Sequence, residues 1–174
     1  MARSDPKPQH ILLPVNMAFI GLTLFFSLLA NLLPFGRAPI VPDFVALSLA
    51  FWCIREPRRV GFTTAFVLGL AMDVADAALV GQHALAYTLL AYAAIKVSRR
   101  VPWFPIWQQA LHVLTLLLLA QIVQCLVQSI AGGGFPSVAY FSASVSAALL
   151  WPLLSLIYLA PQRKPIDPDE NRPI

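Results

Sequence analysis

The chain has 174 residues, 59% hydrophobic and only 11% charged, with a formal net charge of +4 and a mean hydropathy of +0.73. This balance excludes a soluble domain of the same size, which would need charged stretches to cover its surface. Runs such as LTLLLLAQIV do not alternate, which excludes a transmembrane barrel and leaves an all-α polytopic membrane protein.

Residues 1–10 form a short, polar, proline-bearing cytoplasmic N-terminus, and a single transmembrane domain is expected over residues 11–160. The apolar run after His10 is too long for a cleaved leader and lacks a small-residue cleavage pattern, so it reads as an uncleaved first helix over about residues 12–33. Asn31 and the Pro34-Phe35-Gly36 turn end it, and Arg37, Pro39, Pro42 and Asp43 make a compact connection. The second helix, about residues 42–54, is short. At 1.5 Å per residue it reaches only about 20 Å, less than the ~30 Å hydrocarbon core. It must recruit loop residues, thin the bilayer or be shielded by its neighbours.

Arg55-Glu56-Pro57-Arg58-Arg59 is a loop, and the third helix follows from Gly61 to about Leu79. Gly61, Ala65, Gly69, Asp73, Ala77 and Gly81 recur every four residues, which predicts one face of small residues and a single acid, suited to close helix contact. A carboxylate at depth costs at least ~2.5 to 3.5 kcal/mol, so Asp73 is expected to point into protein or a polar cavity. Asp76 reads either in the same way or as a group near the far membrane surface, where water solvates it. If Asp73 is a buried hydrogen-bonding anchor, asparagine is expected to replace it with little loss, and leucine is not.

The turn Val80-Gly81-Gln82-His83 leads to a fourth helix over about residues 84–97, ending among Lys96, Arg99 and Arg100. Trp103 and Trp107 then fall at headgroup level. The fifth helix, residues 106–130, carries Gln121, Gln124 and Gln128 as one polar stripe. Amide bonds between membrane helices average ~0.6 kcal/mol, so the stripe selects a partner face more than it adds stability. Gly132-Gly133-Gly134 and Pro136 break the helix. The sixth, about residues 138–159, carries Ser142, Ser144 and Ser146 and the close-packing series Ala139, Ala143, Ala147; residues 161–174 read as a disordered cytoplasmic tail. Of the twelve Lys and Arg residues, eleven lie inside if both termini are cytoplasmic and the six spans hold. That orientation places Asp73 and Asp76 in the outer half of the third helix. The net charge thus reports orientation in membrane lipid, not nucleic-acid binding.

Cys53 and Cys125 sit in apolar segments without CxxC spacing and read as packing residues. The three histidines are scattered, so no metal site is expected, and His112 reads as a packed or interfacial residue. Asp73-Val-Ala-Asp76 is half of the paired-aspartate signature of membrane phosphatidyltransferases, but Ala77 replaces the expected glycine and no second DxxxD follows. With no GxSxG, HExxH or P-loop, neither catalysis nor a cofactor is expected. A helix-packing scaffold needs only small-residue faces, an amide stripe and short loops. A small-molecule or lipid transporter, or a binding subunit working through Asp73, is the alternative, against which stands the lack of internal repeats and of paired broken helices. The two separate on whether Asp73 faces water.

The segment PDFVALSLAFWCIREPRRVGFTTAFVLGLAMDVADAALVGQHAL resembles the rod shape-determining protein MreD family of the bacterial inner membrane. Arg58, Val60, Gly61, Phe66, Gly69, Asp73 and Gly81 occupy the positions that carry the likeness, and Trp107-Gln108-Gln109-Ala110 and Trp151-Pro152 also look like family positions. The resemblance implies a non-enzymatic member of the cell-elongation machinery working with MreC, MreB and a RodA-type glycosyltransferase with its transpeptidase. It also implies a six-helix bundle similar to the substrate-binding subunits of vitamin-uptake transporters. The family usually places a glycine shortly after its aspartate, where this chain has Ala77 and Ala78, and Asp76 is an additional acid.

Overall fold

The computed structural model describes residues 15–33 and 40–162. Among them are six α-helices and no strand: α1 (Met17–Leu32), α2 (Phe44–Arg55), α3 (Phe62–Ala75), α4 (Gln82–Val97), α5 (Ile106–Ile130) and α6 (Ser142–Leu159). Short 3-10 turns occupy Val101–Trp103, Val138–Phe141 and Ala160–Gln162. The N-terminal residues 1–10, the turn at residues 34–36 and most of the expected tail lie outside the described residues. Two helical stretches, Ile106–Ile130 and Val138–Gln162, are long and apolar enough to cross a membrane, and α1, α2 and α3 are shorter apolar helices.

The shortest helix is the centre of the bundle. Every residue of α2 from Val45 to Ile54 is buried, and α1, α4, α5 and α6 all pack against it. Its twelve residues reach about 18 Å, so the length problem is met by shielding. Its side chains touch protein on all sides. Around it, Trp52 stacks on Tyr158 with ring centroids 5.5 Å apart, and Phe51 contacts Trp151 at 5.6 Å. Beneath the rings, Ser48 Oγ lies 2.6 Å from Ser27 Oγ and 2.8 Å from the Tyr158 hydroxyl. These bonds join α1, α2 and α6 through buried groups that satisfy one another.

The helix termini differ from the periodic reading in one important place. The third helix ends at Ala75 and not near Leu79. The Ala78 N–H donates to the Asp73 carbonyl at 3.0 Å and the Ala77 N–H to the Val74 carbonyl at 3.4 Å. This is the Schellman closure, with Ala77 in the left-handed position at φ 50°. Ala77 and Gly81 therefore leave the helical face on which four-residue spacing placed them. The end of α5 closes in the same way, through Gly133 to the Gln128 carbonyl at 2.9 Å, but there the left-handed residue is Gly132.

Charges of opposite sign fall at different helix ends. Arg55, Arg58 and Arg59 follow α2, and Lys96, Arg99 and Arg100 close α4. Asp43, Asp73 and Asp76 lie at the other end, where α2 and α4 begin and α3 finishes.

Candidate functional site

At the acidic end, Gly69 and Asp73, one turn apart on α3, both meet the first turn of α4. A β-carbon on Gly69 would lie 2.3 Å from Ala84 Cα and 2.6 Å from Ala84 N. Those are backbone atoms, so only glycine admits this approach. One turn later the Asp73 carboxylate, 1% exposed, receives the donors that α4 cannot satisfy internally. The Gly81 N–H donates to Oδ2 and the His83 N–H to Oδ1, each at 2.7 Å, with the Ala84 N–H at 3.4 Å from Oδ2. The His83 Nδ1 adds a contact of 3.0 Å to Oδ1. Asp73 thus supplies from α3 the N-terminal cap that Gly81, the residue preceding α4, lacks. Its negative charge also meets the positive end of the α4 dipole.

This geometry changes one expectation. Every group bonded through hydrogen to Asp73 by the backbone is a donor, and both carboxylate oxygens accept. An asparagine offers one acceptor oxygen and turns an NH₂ toward a backbone N–H. The substitution is therefore not conservative here.

Beside this cap lies a cavity of about 200 Å³, bordered by residues from all six helices and from the turn before α6. Asp76, His83, Gln121, Gln124, Tyr140 and Ser144 contribute polar wall, and Leu117, Ala120 and Ala147 contribute apolar wall. Asp73 is not part of the wall. Asn31 and Asp43, read from the sequence only as turn residues, form the opposite rim. Asp43 caps α2 through the Ala46 N–H at 2.9 Å and also accepts from Asn31 Nδ2 at 2.9 Å and the Tyr87 hydroxyl at 2.6 Å. An aspartate directly before the apolar run FVALSLAF is a legible cap signal. Tyr87, buried in α4, carries no such local signal.

The other candidate residues fall into separate places. Ala65 is buried on α3, whereas Gly61 precedes the helix with open space where a β-carbon would stand. Gly81 has φ +102°, a backbone conformation that favours glycine. The glutamine stripe is divided. Gln121 accepts from Ser144 Oγ and donates to the Tyr140 carbonyl at 3.1 Å, and Gln124 accepts from the Tyr140 hydroxyl, so these two tie α5 to the start of α6. Gln128 is exposed and does not continue the buried row. At the basic end Trp107 and Gln108 are exposed, while Gln109 is buried and donates to the Phe104 carbonyl at 2.8 Å. Its Oε1 lies 3.4 Å from Trp151 Nε1, which joins α5 to α6. Pro152 lies inside α6, next to buried Trp151.

Cys53 and Cys125 are free and buried. Among the described residues no group of three or more His, Cys, Asp or Glu side chains is placed to hold a metal.

The model of the rod shape-determining protein MreD family matches residues 10–160. The chain is 25% identical over 131 residues to the rod shape-determining protein MreD of Haemophilus influenzae, an alignment covering 75% of this chain and 81% of that relative. No solved structure matches the chain. With a family model spanning most of its length, including the helix contact at Gly69 and the cap at Asp73, the chain belongs to the rod shape-determining protein MreD family.

Proposed function

We propose that this chain is a non-enzymatic, six-span component of the bacterial inner membrane that supports lateral peptidoglycan synthesis by holding partner helices. Membership in the family carries a role in determining rod cell shape. The observation that carries the scaffold reading is the engagement of Asp73: its two oxygens are bonded to three backbone N–H groups and one imidazole, and it lies off the cavity wall. A carboxylate fixed in this way is a structural part, and no observation favours a transport cycle through it. The partners this reading implies are MreC, MreB and a RodA-type glycosyltransferase with its transpeptidase. Exposed apolar side chains on the outer helix faces, among them Leu22 and Phe26 on α1 and Leu149 and Leu153 on α6, are suited to lipid or to neighbouring membrane helices.

The gathering of Arg55, Arg58, Arg59, Lys96, Arg99 and Arg100 at one end supports an orientation with that end, and both termini, in the cytoplasm. The test is co-purification of the membrane-extracted chain with untagged MreC, paired with restoration of rod shape in cells lacking their own MreD. A chain that restores shape while retaining no partner would overturn the scaffold reading.

A further inference from the structure

Three carboxylates meet at the acidic end, and two have structural work. Asp43 and Asp73 sit at the starts of α2 and α4, where backbone N–H groups and the positive ends of the helix dipoles stabilise them. Asp76 is placed in the opposite way. It follows the last residue of α3, where the dipole is negative, and its side chain is 49% exposed. The nearest cationic or donor group is His83 Nε2 at 3.7 Å from Oδ2, beyond hydrogen-bond distance. Nothing in the fold requires a charge there.

Asp76 borders the cavity, and none of the cavity's bordering residues is Lys or Arg. Gln124, 4% exposed, also borders it, and its Oε1 accepts from the Tyr140 hydroxyl. Gln124 Oε1 is engaged by this bond, whereas its amide nitrogen makes no hydrogen bond among the described residues. The wall thus offers an anionic acceptor, Asp76, with His83 Nε2 3.7 Å from it, and a neutral donor, the Gln124 amide.

We propose that this cavity binds a small protonated amine that carries an oxygen, its ammonium group on Asp76 and its oxygen on the Gln124 amide. An ammonium supplies the charge and donors that Asp76 lacks, while an anion would meet the Asp43 and Asp76 carboxylates, with His83 the one bordering side chain able to carry a positive charge. The volume of about 200 Å³ is below the range of drug-sized pockets and fits an amino-alcohol unit. Such a unit occurs free in water and as the headgroup of an aminophospholipid, and the same wall recognises both.

The test uses the purified full chain in nanodiscs of phosphatidylglycerol alone, titrated with ethanolamine, and in nanodiscs that include phosphatidylethanolamine. Thermal unfolding and native mass spectrometry are the readouts. A saturable rise of the midpoint with ethanolamine assigns a free amine; selective retention of phosphatidylethanolamine assigns a headgroup. Asp76→Asn is expected to weaken either at least ten-fold and Asp76→Glu to keep it, with helix content checked by circular dichroism. Equal binding by wild type and Asp76→Asn, or no binding of either amine, overturns the proposal. Should Asp76→Asn fail to fold, ethylene glycol decides with the wild type: it lacks the charge, so binding equal to that of ethanolamine overturns the proposal, and at least ten-fold weaker binding supports it.

Discussion

Gly69 and Ala84 lie so close that a β-carbon on the first would stand 2.3 Å from the Cα of the second. The contact is between main chains, so neither side can turn a rotamer to relieve a larger residue. Overpacking of a well-filled site costs about 1–3 kcal/mol and more where backbone must move. Gly69→Leu is expected to lose at least that much and to disrupt rod shape. Val67→Leu, on an exposed position of the same helix, should change stability by no more than ~0.5 kcal/mol. Thermal unfolding in detergent, together with cell shape, checks the pair; equal behaviour of the two variants would remove α3 and α4 contact as a requirement.

Asp73 gives an ordered series. Leaving a buried donor unpaired costs about 1–3 kcal/mol, and Asp73→Leu leaves the Gly81 and His83 N–H groups without their acceptor. Asp73→Asn leaves one of them opposite an NH₂ group. The expected order of stability is wild type, then asparagine, then leucine, measured as midpoints of unfolding. Asparagine as stable as wild type would show that the carboxylate is not acting as a double acceptor.

Ala77 takes a left-handed conformation, φ 50°, at the position where α5 uses Gly132. That conformation costs a non-glycine residue roughly 1–2 kcal/mol, partly offset by the greater backbone freedom glycine loses on folding. Ala77→Gly should stabilise the chain by roughly 0.5–1 kcal/mol. Gly132→Ala should destabilise by a similar amount. A fall in midpoint for Ala77→Gly would mean that the turn is not closed as described.

The orientation is open to a direct check. A reporter active only outside the cytoplasm is expected to stay silent when fused after Ile174 and to work when inserted between Leu79 and Gly81. The reverse pattern would invert the molecule and place the acidic end in the cytoplasm.

Much of the molecule could be read from the chain alone because the signals are local. Apolar runs separated by Pro-Arg loops define six helices, and the four-residue step from Gly69 to Asp73 marks the face that meets α4. The order of weak motifs from Arg58 to Pro152 identified the family, which the match over residues 10–160 shows. Periodicity carried the small-residue face too far, to Ala77 and Gly81, since it has no term for a Schellman closure whose left-handed residue is alanine. What tertiary structure alone decided is which polar groups meet. Asp73 reaches the α4 amides, Asp43 reaches Tyr87, and Gln109 reaches Trp151, all through contacts between helices. The same is true of α2. Its short apolar sequence is compatible with lipid or with protein, and only the presence of four helices around it places it at the centre. Local pattern determines which residues become helical and where charge accumulates along the chain, whereas the partner of a buried polar group depends on how separate helices pack.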